Sequence, residues 1–454
     1  MSTTAIKDFD NGQNAVSYIL DAARKAGATS ADALYVWSDE ENVTVRKGSL
    51  EKIQASQSQG LGIRVFVGHS QSSISTRDLS RPHIDELVRR AVAMARQTAS
   101  DPFSGLPDKQ EPLAVDPQSL FPLETEIPSR EALFERAKAA EDAALSFDPR
   151  ITNTEGADCA RTQSRFVFGN TLGFLGGYQK SSYSLSCSII ATDGDAMERD
   201  YWYVVGPLWE TTKNPAAVGQ KAARRAVSRL HARRTQTGSF PVLFDPETAR
   251  SLVGHFTGAI SGSSLYRNAT YLKDREGTLV MSPLMTLRED PFIFGGLGSR
   301  PFDGEGLPTQ PKTIVDQGIL TTYLFDTYSA RKMRRQSTGN AVRSLDGPGV
   351  GISNLMVNPG SKSQEELMAQ VSEGLFVTEL IGFGVNTVTG DYSRGAFGYW
   401  IKNGQISHPV SEITIAGTLD ELYRGIVGVG SDLEIRSSVN TPSLLVEGLR
   451  IAGE

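Results

Sequence analysis

Strand-like stretches separated by turn residues dominate the N-terminal part of the chain, and they restrict its fold more than any other feature. Each stretch is rich in β-branched, aromatic or other apolar residues, which favour extended backbone. Four of them follow an amphipathic segment at 13–25 and lie at 33–37, 42–45, 62–67 and 72–75. Their spacing predicts an antiparallel meander.

Helical segments interrupt this strand pattern. Ser80 precedes a segment with Pro82 in its first turn, which is typical of a helix start. Apolar residues then recur at helical spacing, so one face of this helix is predicted to be buried; they are Ile84, Leu87, Val88, Ala91, Val92 and Ala95. Further helices are predicted at 130–146, 215–232 and 246–260.

Prolines and a change in composition divide the chain. Six prolines fall between Ser100 and Ser129, and each removes a backbone donor, so this stretch is predicted to be a linker or a strap lying on the surface. From Phe240 onward, strands and glycine-rich turns dominate. The fold class is predicted to be α+β, with antiparallel sheets and helices in the N-terminal half and a β-dominated C-terminal domain. The predicted units are an N-terminal α+β unit at 1–98, a proline-rich linker at 99–129, a β-rich middle unit at 130–235 joined to the N-terminal half, and a β-rich C-terminal domain at 236–454.

Charge and composition exclude several classes of protein. The formal net charge of −6 argues against direct binding to nucleic acid or to an anionic membrane. No stretch approaches the roughly 18 apolar residues of a membrane span, and the N-terminus lacks the pattern of a signal peptide. We therefore expect a soluble, cytoplasmic protein. Cys159 and Cys187 have no histidine or second cysteine nearby in the sequence, which predicts buried structural thiols.

Basic residues cluster on the helix predicted at 215–232. They are Arg224, Arg225, Arg229, His231, Arg233 and Arg234. These side chains could bind phosphates, but we interpret them as the solvated face of an amphipathic helix.

The common catalytic patterns are incomplete in this chain. The nearest approach to a nucleophile elbow, at 68–72, lacks the second glycine. No two of the five histidines stand at a metal-ligand spacing on one element; they are His69, His83, His231, His255 and His408. Asp303 and Glu305 could form a carboxylate pair for acid–base or cation chemistry, although a solvated glycine turn is the simpler interpretation.

Several stretches, taken together, carry a resemblance to a known family. They lie at 238–246, 290–291, 300–306, 337–341, 390–393, 409–417 and 430–434. In these stretches the chain resembles the TldD/PmbA family, specifically its TldE (PmbA) branch, and the resemblance covers essentially the whole chain, though more weakly before Asn153. Members of this family were first described as modulators of DNA gyrase. The resemblance implies a two-subunit cytoplasmic metalloprotease that acts on unfolded peptides.

The resemblance also implies where a metal site would lie, and this chain departs from the family pattern there. In the TldD branch, the helix matching 246–260 carries His-Glu-x-x-x-His, and a cysteine near the C-terminus completes the site. Here Arg250 stands at the first histidine, Ser251 at the glutamate, and only His255 remains. The cysteine position falls at 439–442, where Thr441 and its neighbours supply no thiol. A zinc protease needs about three protein ligands and a base. We therefore predict no catalytic residue, metal or cofactor in this chain, and expect the metal, zinc, in a partner subunit.

Helix geometry leads to the same expectation. At about 100° per residue, Arg250 and His255 lie roughly 140° apart, on the two flanks of an apolar stripe. The stripe comprises Ala249, Leu252, Val253, Phe256, Ala259 and Ile260. His255 is therefore predicted to be a satisfied boundary histidine, and Arg250 to pair with a carboxylate or a peptide carbonyl.

These observations predict a non-catalytic scaffold subunit of a TldD/TldE-type metalloprotease. Its expected partner is a TldD-like subunit in a heterodimer, or a second copy in a homodimer. Unfolded peptide is the expected substrate, held in extended form against a sheet edge. A regulatory binding protein of the gyrase-modulator type is one alternative. A homodimeric hydrolase with an unrecognised site is another, and its candidate residues are Asp303, Glu305 and Asp391.

Overall fold

Six long strands form one antiparallel sheet that runs through the N-terminal half. The computed structural model describes residues 3–124 and 126–453, with side chains from Gly12 onward. The strands are β1 (Ser30–Arg46), β2 (Ser49–Val67), β3 (Ser70–Thr76), β4 (Ile151–Asn170), β5 (Leu175–Asp193) and β6 (Ala196–Gly206). Their order is β3-β2-β1-β4-β5-β6, so β1 pairs with β4 across the proline-rich stretch and β6 lies at an edge.

Four helices pack against this sheet. They are α1 (Thr3–Lys25), α2 (Arg81–Gln97), α3 (Arg130–Leu145) and α4 (Pro215–Arg229). The apolar residues of α2 predicted to be buried are all buried, although the Ser80 side chain makes no capping hydrogen bond. Helices α1 and α2 share a core with β1 and β2, whereas α3 and α4 share one with β4 and β5. The sheet therefore has helices packed against both of its halves.

The strand boundaries differ from the prediction in the first hairpin. The stretches predicted at 33–37 and 42–45 belong to the single strand β1, and β2 begins at Ser49, well before the predicted start at 62. Residues 49–59 are exposed along their whole length, so they show no alternation of apolar and polar side chains that could have identified a strand. Helix α4 ends at Arg229 rather than 232, because the backbone leaves the helical region and His231 adopts a φ of 61°.

The C-terminal half is built around a closed ring of strands. Strands β7 (Gly238–Phe244), β14 (Glu373–Ile381), β16 (Asp391–Lys402), β17 (Gln405–Thr418) and β20 (Leu444–Ala452) form this ring, since β14 pairs with both β7 and β16. Strands β15 (Val385–Asn386) and β18 (Ile426–Val429) attach to it. The α+β class, with a β-dominated C-terminal domain, is confirmed.

A second sheet and five helices complete this half. The sheet has the order β10-β9-β8-β13-β19, with β8 (Leu287–Asp290), β9 (Lys312–Asp316), β10 (Ile319–Leu320), β13 (Asn354–Val357) and β19 (Val439–Asn440). A separate hairpin contains β11 (Ala341–Ser344) and β12 (Gly347–Val350). The helices are α5 (Pro246–Ala259), α6 (Gly262–Tyr266), α7 (Thr327–Lys332), α8 (Gln364–Met368) and α9 (Leu419–Arg424).

The proline-rich stretch lies against the body of the molecule. Its regular structure in the described residues is a short 3₁₀ helix at Pro117–Leu120, and Leu106, Leu120 and Phe121 are buried. The proposed unit boundaries at 98, 129 and 235 stay predictions. None of the helices described is both long and apolar enough to cross a bilayer. Cys159 and Cys187 are buried free thiols, as predicted, and burial raises the pKa of each to about 12.

The prediction of a solvated basic face is wrong for two of the six basic residues, and both of these lie on α4. Arg225 donates from Nε to Asp200 at 3.1 Å, and its side chain is 19% exposed. Arg229 is 12% exposed and pairs with Asp200 at 3.3 Å and Glu379 at 2.5 Å. These arginines face inward because carboxylates of β6 and β14 meet them there. Buried or part-buried ion pairs cannot be seen in the periodicity of one helix.

The hairpin β11–β12 joins the two halves. Its turn residue Leu345 lies against β2, where a side chain at Gly62 would come within 2.5 Å of the Leu345 carbonyl oxygen. Next to it, Asp32 of β1 accepts hydrogen bonds from Arg64 at 2.5 Å and from Arg343 at 2.6 Å. Arg64 also reaches Glu305 at 3.3 Å. We call Asp32, Arg64, Glu305 and Arg343 the seam network.

Candidate degenerate metal site

Helix α5 begins and packs as its sequence predicts. Asp245 is the N-cap, and its side chain accepts a hydrogen bond from the Thr248 amide at 2.8 Å. Pro246 occupies the first helical position, where its missing N–H costs nothing. The residues of the predicted apolar stripe are all buried, and they are Ala249, Leu252, Val253, Phe256, Ala259 and Ile260. This packing fixes which way the remaining side chains of α5 point.

Arg250 pairs with a carboxylate, as predicted. Its Nη2 donates to Glu247, one turn earlier on the helix, and its Nη1 donates to the hydroxyl of Tyr203 at 3.3 Å. Ser251 donates to the backbone carbonyl of Thr248 at 2.9 Å. Thr441 is buried and donates to the neighbouring carbonyl of Pro442 at 3.0 Å. These three side chains are thus engaged within the chain.

The structure brings Arg250 and Thr441 together, although 190 residues of sequence separate them. Both line a small cavity of about 10 Å³, which has room for no more than one water molecule. Arg436 also lines this cavity, where it pairs with Glu434 and stacks on Trp202 at 3.9 Å. Two guanidinium groups therefore share the space, and their positive charge opposes the binding of a metal cation.

His255 lies apart from this cavity, on the other flank of α5. Its Nε2 is buried and makes no hydrogen bond to any residue that the structure describes. Burial and the positive charge of Arg394 lower the pKa of His255 below its usual value. The prediction of a boundary position is correct, but the prediction of a satisfied side chain is wrong. Helical spacing alone could not show whether a neighbouring strand offers a partner.

A larger groove opens beside the same helix. It has a volume of about 230 Å³ and is lined by Ser251 of α5, by strand β14 and by Arg394. Its remaining walls are Arg225 of α4 and the edge strand β6, which contributes Asp200, Tyr201, Trp202 and Tyr203. We call this space the motif groove. No sequence motif singled out these β6 residues, although three consecutive aromatic residues, Tyr201, Trp202 and Tyr203, are visible in the sequence.

Asp303 and Glu305 are fully enclosed, so their interpretation as a solvated glycine turn is wrong. Both side chains are about 1% exposed. Asp303 accepts backbone hydrogen bonds from Glu305 at 2.9 Å and Leu307 at 3.0 Å, yet burial and the charge of Glu305 raise its pKa to about 7. Glu305 accepts from Arg64 and from the Thr327 amide at 2.8 Å. Asp391 is exposed at the start of β16 and does not join them. The enclosed pair holds the seam and offers no access to a substrate.

Comparison with known proteins identifies the family. Models of the PmbA/TldA metallopeptidase match domain 1 at residues 31–95, the central domain at 124–230 and the C-terminal domain at 237–453. The metalloprotease PmbA of Escherichia coli O157:H7 is 42% identical over 413 residues, which cover 91% of this chain and 90% of that protein. The chain belongs to the PmbA/TldD family.

Solved structures agree with this membership. A Bacteroides thetaiotaomicron protein whose name refers to modulation of DNA gyrase has a TM-score of 0.90 at 29% identity, covering 98% of this chain and 99% of that one. TldE from Thermococcus kodakarensis has a TM-score of 0.87 and covers 97% of this chain and 100% of its own. At 19% identity, the TldE comparison concerns the fold alone.

The metal that the family name implies does not fit the residues at this position. A protein zinc site uses thiolate, imidazole or carboxylate ligands at about 2 Å. Within 3–124 and 126–453, no three residues of the types His, Cys, Asp and Glu are grouped so that they could hold a metal. The position instead holds Arg250 and Arg436, each paired with its own glutamate. No catalytic step through a metal can be assigned to these side chains.

Proposed function

We propose that this chain is the non-catalytic scaffold subunit of a TldD/TldE-type cytoplasmic metalloprotease that processes or degrades unfolded peptides. The observation that carries the proposal is the presence of two arginines, Arg250 and Arg436, in the cavity that Thr441 also lines. Guanidinium groups repel a cation where the family pattern would bind one. The partner is a TldD-like subunit, which supplies the zinc ion and the base that activates water.

The edge strand β6 supports a role in holding peptide. Within residues 3–124 and 126–453, β6 pairs with a strand on one side alone, and that strand is β5. The motif groove lies along this strand, and a second groove, of about 530 Å³ with a largely apolar lining, includes Trp202 and Val204. An extended peptide could pair with the strand and place its side chains in both spaces.

An exposed apolar loop supports association with a partner. Phe383 is fully exposed between Gly382 and Gly384, and Ile381 beside it is 54% exposed. The loop follows Leu380, which lines the motif groove. Exposed apolar residues next to a functional groove are typical of an interaction surface. A partner that covers this loop would also close the groove.

The proposal is tested by a peptide-cleavage assay on each chain alone and on the mixture, with size-exclusion chromatography alongside. The partner is a paralogue that carries the complete His-Glu-x-x-x-His motif. We expect this chain alone to be inert, and the mixture to form a stable complex that cleaves unfolded peptide and is silenced by chelators. Phe383→Asp should weaken the complex, whereas Leu284→Asp, at a residue that is also more than half exposed, should not.

The opposite outcomes point to the alternatives. Metal-dependent cleavage by this chain alone, after removal of host proteases, would contradict the scaffold role and favour a homodimeric hydrolase. Failure to associate with the paralogue would favour a regulatory binding protein. Elemental analysis gives an independent check, because we expect far less than one transition metal per chain after mild chelation.

A further inference from the structure

A cavity of about 770 Å³ opens where the first sheet, the proline-rich stretch and the C-terminal half meet. Its walls come from β2 and β3, from residues 98–105, from α6 and α7, and from the hairpin residues 348–350. We call it the seam cavity. Its volume is within the usual range for small-ligand sites. The seam cavity is separate from the motif groove, since Arg250, Ser251, His255 and Thr441 do not line it.

The acidic side chains of the seam cavity already accept hydrogen bonds from their own surroundings. Asp101 accepts from the Tyr328 hydroxyl at 2.7 Å and from the Phe103 amide at 3.0 Å. Asp326 accepts from the amide of Ser329 at 2.8 Å and from its hydroxyl. A ligand therefore meets few free acceptors on these carboxylates.

The donors of the cavity, in contrast, are in excess. Arg64 is 4% exposed and uses Nε and Nη2 on Asp32 and Glu305, which leaves its Nη1 without a hydrogen bond to any described residue. Arg267 donates to the Tyr266 hydroxyl at 3.1 Å and has no carboxylate partner in the described part of the chain. Lys332 lies 3.5 Å from Asp101. The hydrogen bond with Tyr328 raises the pKa of Lys332, so it is charged at neutral pH.

Aromatic rings stand next to these cations. Tyr266 and Tyr328 form an edge-to-face pair with ring centroids 5.6 Å apart. The ammonium group of Lys332 lies 4.5 Å from the ring of Phe103. Rings provide an apolar surface for a flat or aliphatic group, and the free donors provide pairing for an anion. The cavity is therefore suited to a ligand that carries a carboxylate beside an apolar group.

We propose that the seam cavity binds the C-terminal residue of a peptide. The terminal carboxylate pairs with the free donors of Arg64 and Arg267, and the adjacent side chain lies against Tyr266 and Tyr328. The choice of a peptide rests on the proposed function, whereas recognition of the carboxylate rests on the cavity itself. Because three parts of the chain form the walls, a bound peptide end would also hold these parts together.

Calorimetry on the full chain, without any partner or metal, tests this proposal. The ligand is an N-acetylated tripeptide ending in phenylalanine, and its matched control is the same peptide with a C-terminal amide. We expect the acid to bind and the amide to bind at least about tenfold more weakly, since a charge-assisted hydrogen-bond pair is lost. Equal binding of acid and amide, or no saturable binding of the acid at millimolar concentration, would overturn the proposal.

Variants and simpler anions locate the site and define the ligand. Arg267→Glu should weaken binding of the tripeptide acid at least about tenfold, so that the acid and the amide bind equally. Arg224→Glu, at an exposed arginine of α4 outside the cavity, should change neither. Arg64 is not varied because it belongs to the seam network. Inorganic phosphate or phenylpropionate binding as tightly as the tripeptide would overturn the peptide assignment.

The outcome is independent of the cleavage assay. The binding experiment needs no partner subunit, so a failure of the scaffold proposal leaves a carboxylate-dependent affinity measurable. Conversely, equal binding of the acid and the amide would show that the seam cavity does not recognise a peptide carboxylate. The cleavage assay would still decide the scaffold role.

Discussion

The molecule contains two groups of ion pairs that use the same chemistry in different surroundings. The motif cluster comprises Glu247, Arg250, Glu434 and Arg436, whose side chains are between 14% and 42% exposed. The seam network has side chains that are at most 5% exposed. Solvent can screen the first group, whereas the side chains of the second are almost entirely covered by protein. The arginines of the motif cluster therefore occupy the place of a metal site, whereas those of the seam network hold the two halves of the chain together.

A substitution in the seam network should therefore lower the free energy of unfolding more than one in the motif cluster. Asp32→Ala leaves Arg64 and Arg343 buried without their shared carboxylate, and we expect a loss of about 3–5 kcal/mol in the free energy of unfolding. Urea unfolding followed by circular dichroism measures it. Asp21→Ala is the control, because Asp21 forms an exposed pair with Arg24 and should cost well under about 1 kcal/mol. Similar losses for the two variants would break the distinction between the groups.

A second effect arises from Asp303, whose pKa is raised to about 7 by burial and by Glu305. The unfolded carboxyl loses its proton near pH 4, so between about pH 4 and 7 the folded state binds more protons than the unfolded state. Stability should then fall as pH rises through this window and level off above it. Relative to Asp303→Asn, we expect the wild-type chain to lose on the order of 1–4 kcal/mol between pH 4 and 8.

Urea unfolding of both proteins at several pH values checks this slope. Asp391→Asn is the matched control, since Asp391 is an exposed carboxyl in the same half and should leave the wild-type slope unchanged. Parallel pH profiles for wild type and Asp303→Asn would contradict a protonated Asp303 in the folded protein.

Much of the fold could be predicted because short stretches of sequence show helical periodicity and typical capping residues. The buried face of α2 and the stripe of α5 follow from helical periodicity, and the Asp245 cap follows from residue type. The first part of β2, residues 49–59, could not be predicted, because all of its side chains are exposed and none alternates with a buried one. Its position depends on the pairing with β1, whose partners extend from Arg46 and Ser49 at the turn to Trp37 and Gln59, which are well apart in the sequence.

The residues of the candidate site could be predicted from the sequence, but the side chains that surround them could not. The family pattern located Arg250 and Thr441, yet nothing local indicated that Arg436 and Trp202 would stand beside them. Burial of Asp303 and Glu305 was missed for a related reason. A glycine-rich turn is expected to be solvated unless another part of the chain covers it, and here β2 and the β11–β12 hairpin do so.

In the motif cluster, the expected effect is small. Arg250→Ala removes a partly exposed ion pair with Glu247, whose two side chains are 28% and 25% exposed, so we expect the free energy of unfolding to change by less than about 1 kcal/mol. The cleavage activity of the assembled pair should remain within a few-fold of wild type, because Arg250 does no chemistry in the scaffold model. A loss of about a thousandfold, with folding and assembly intact, would mean that Arg250 reaches the active site of the partner.

The smallest expected effect is at His255, which is partly buried like the motif cluster but whose Nε2 has no hydrogen-bond partner among the residues that the structure describes. His255→Leu removes this buried polar atom without orphaning another group, so we expect a gain in the free energy of unfolding of up to about 1 kcal/mol. His255→Gln keeps a polar group there and should show no such gain. Because burial and Arg394 lower the pKa of His255, the unfolded state takes up the proton first as pH falls below about 6.5. The advantage of His255→Leu should therefore grow from pH 7.5 to pH 5.5, and urea unfolding at both values measures it. An advantage that shrinks over this range would mean that the folded protein stabilises the charged imidazole instead.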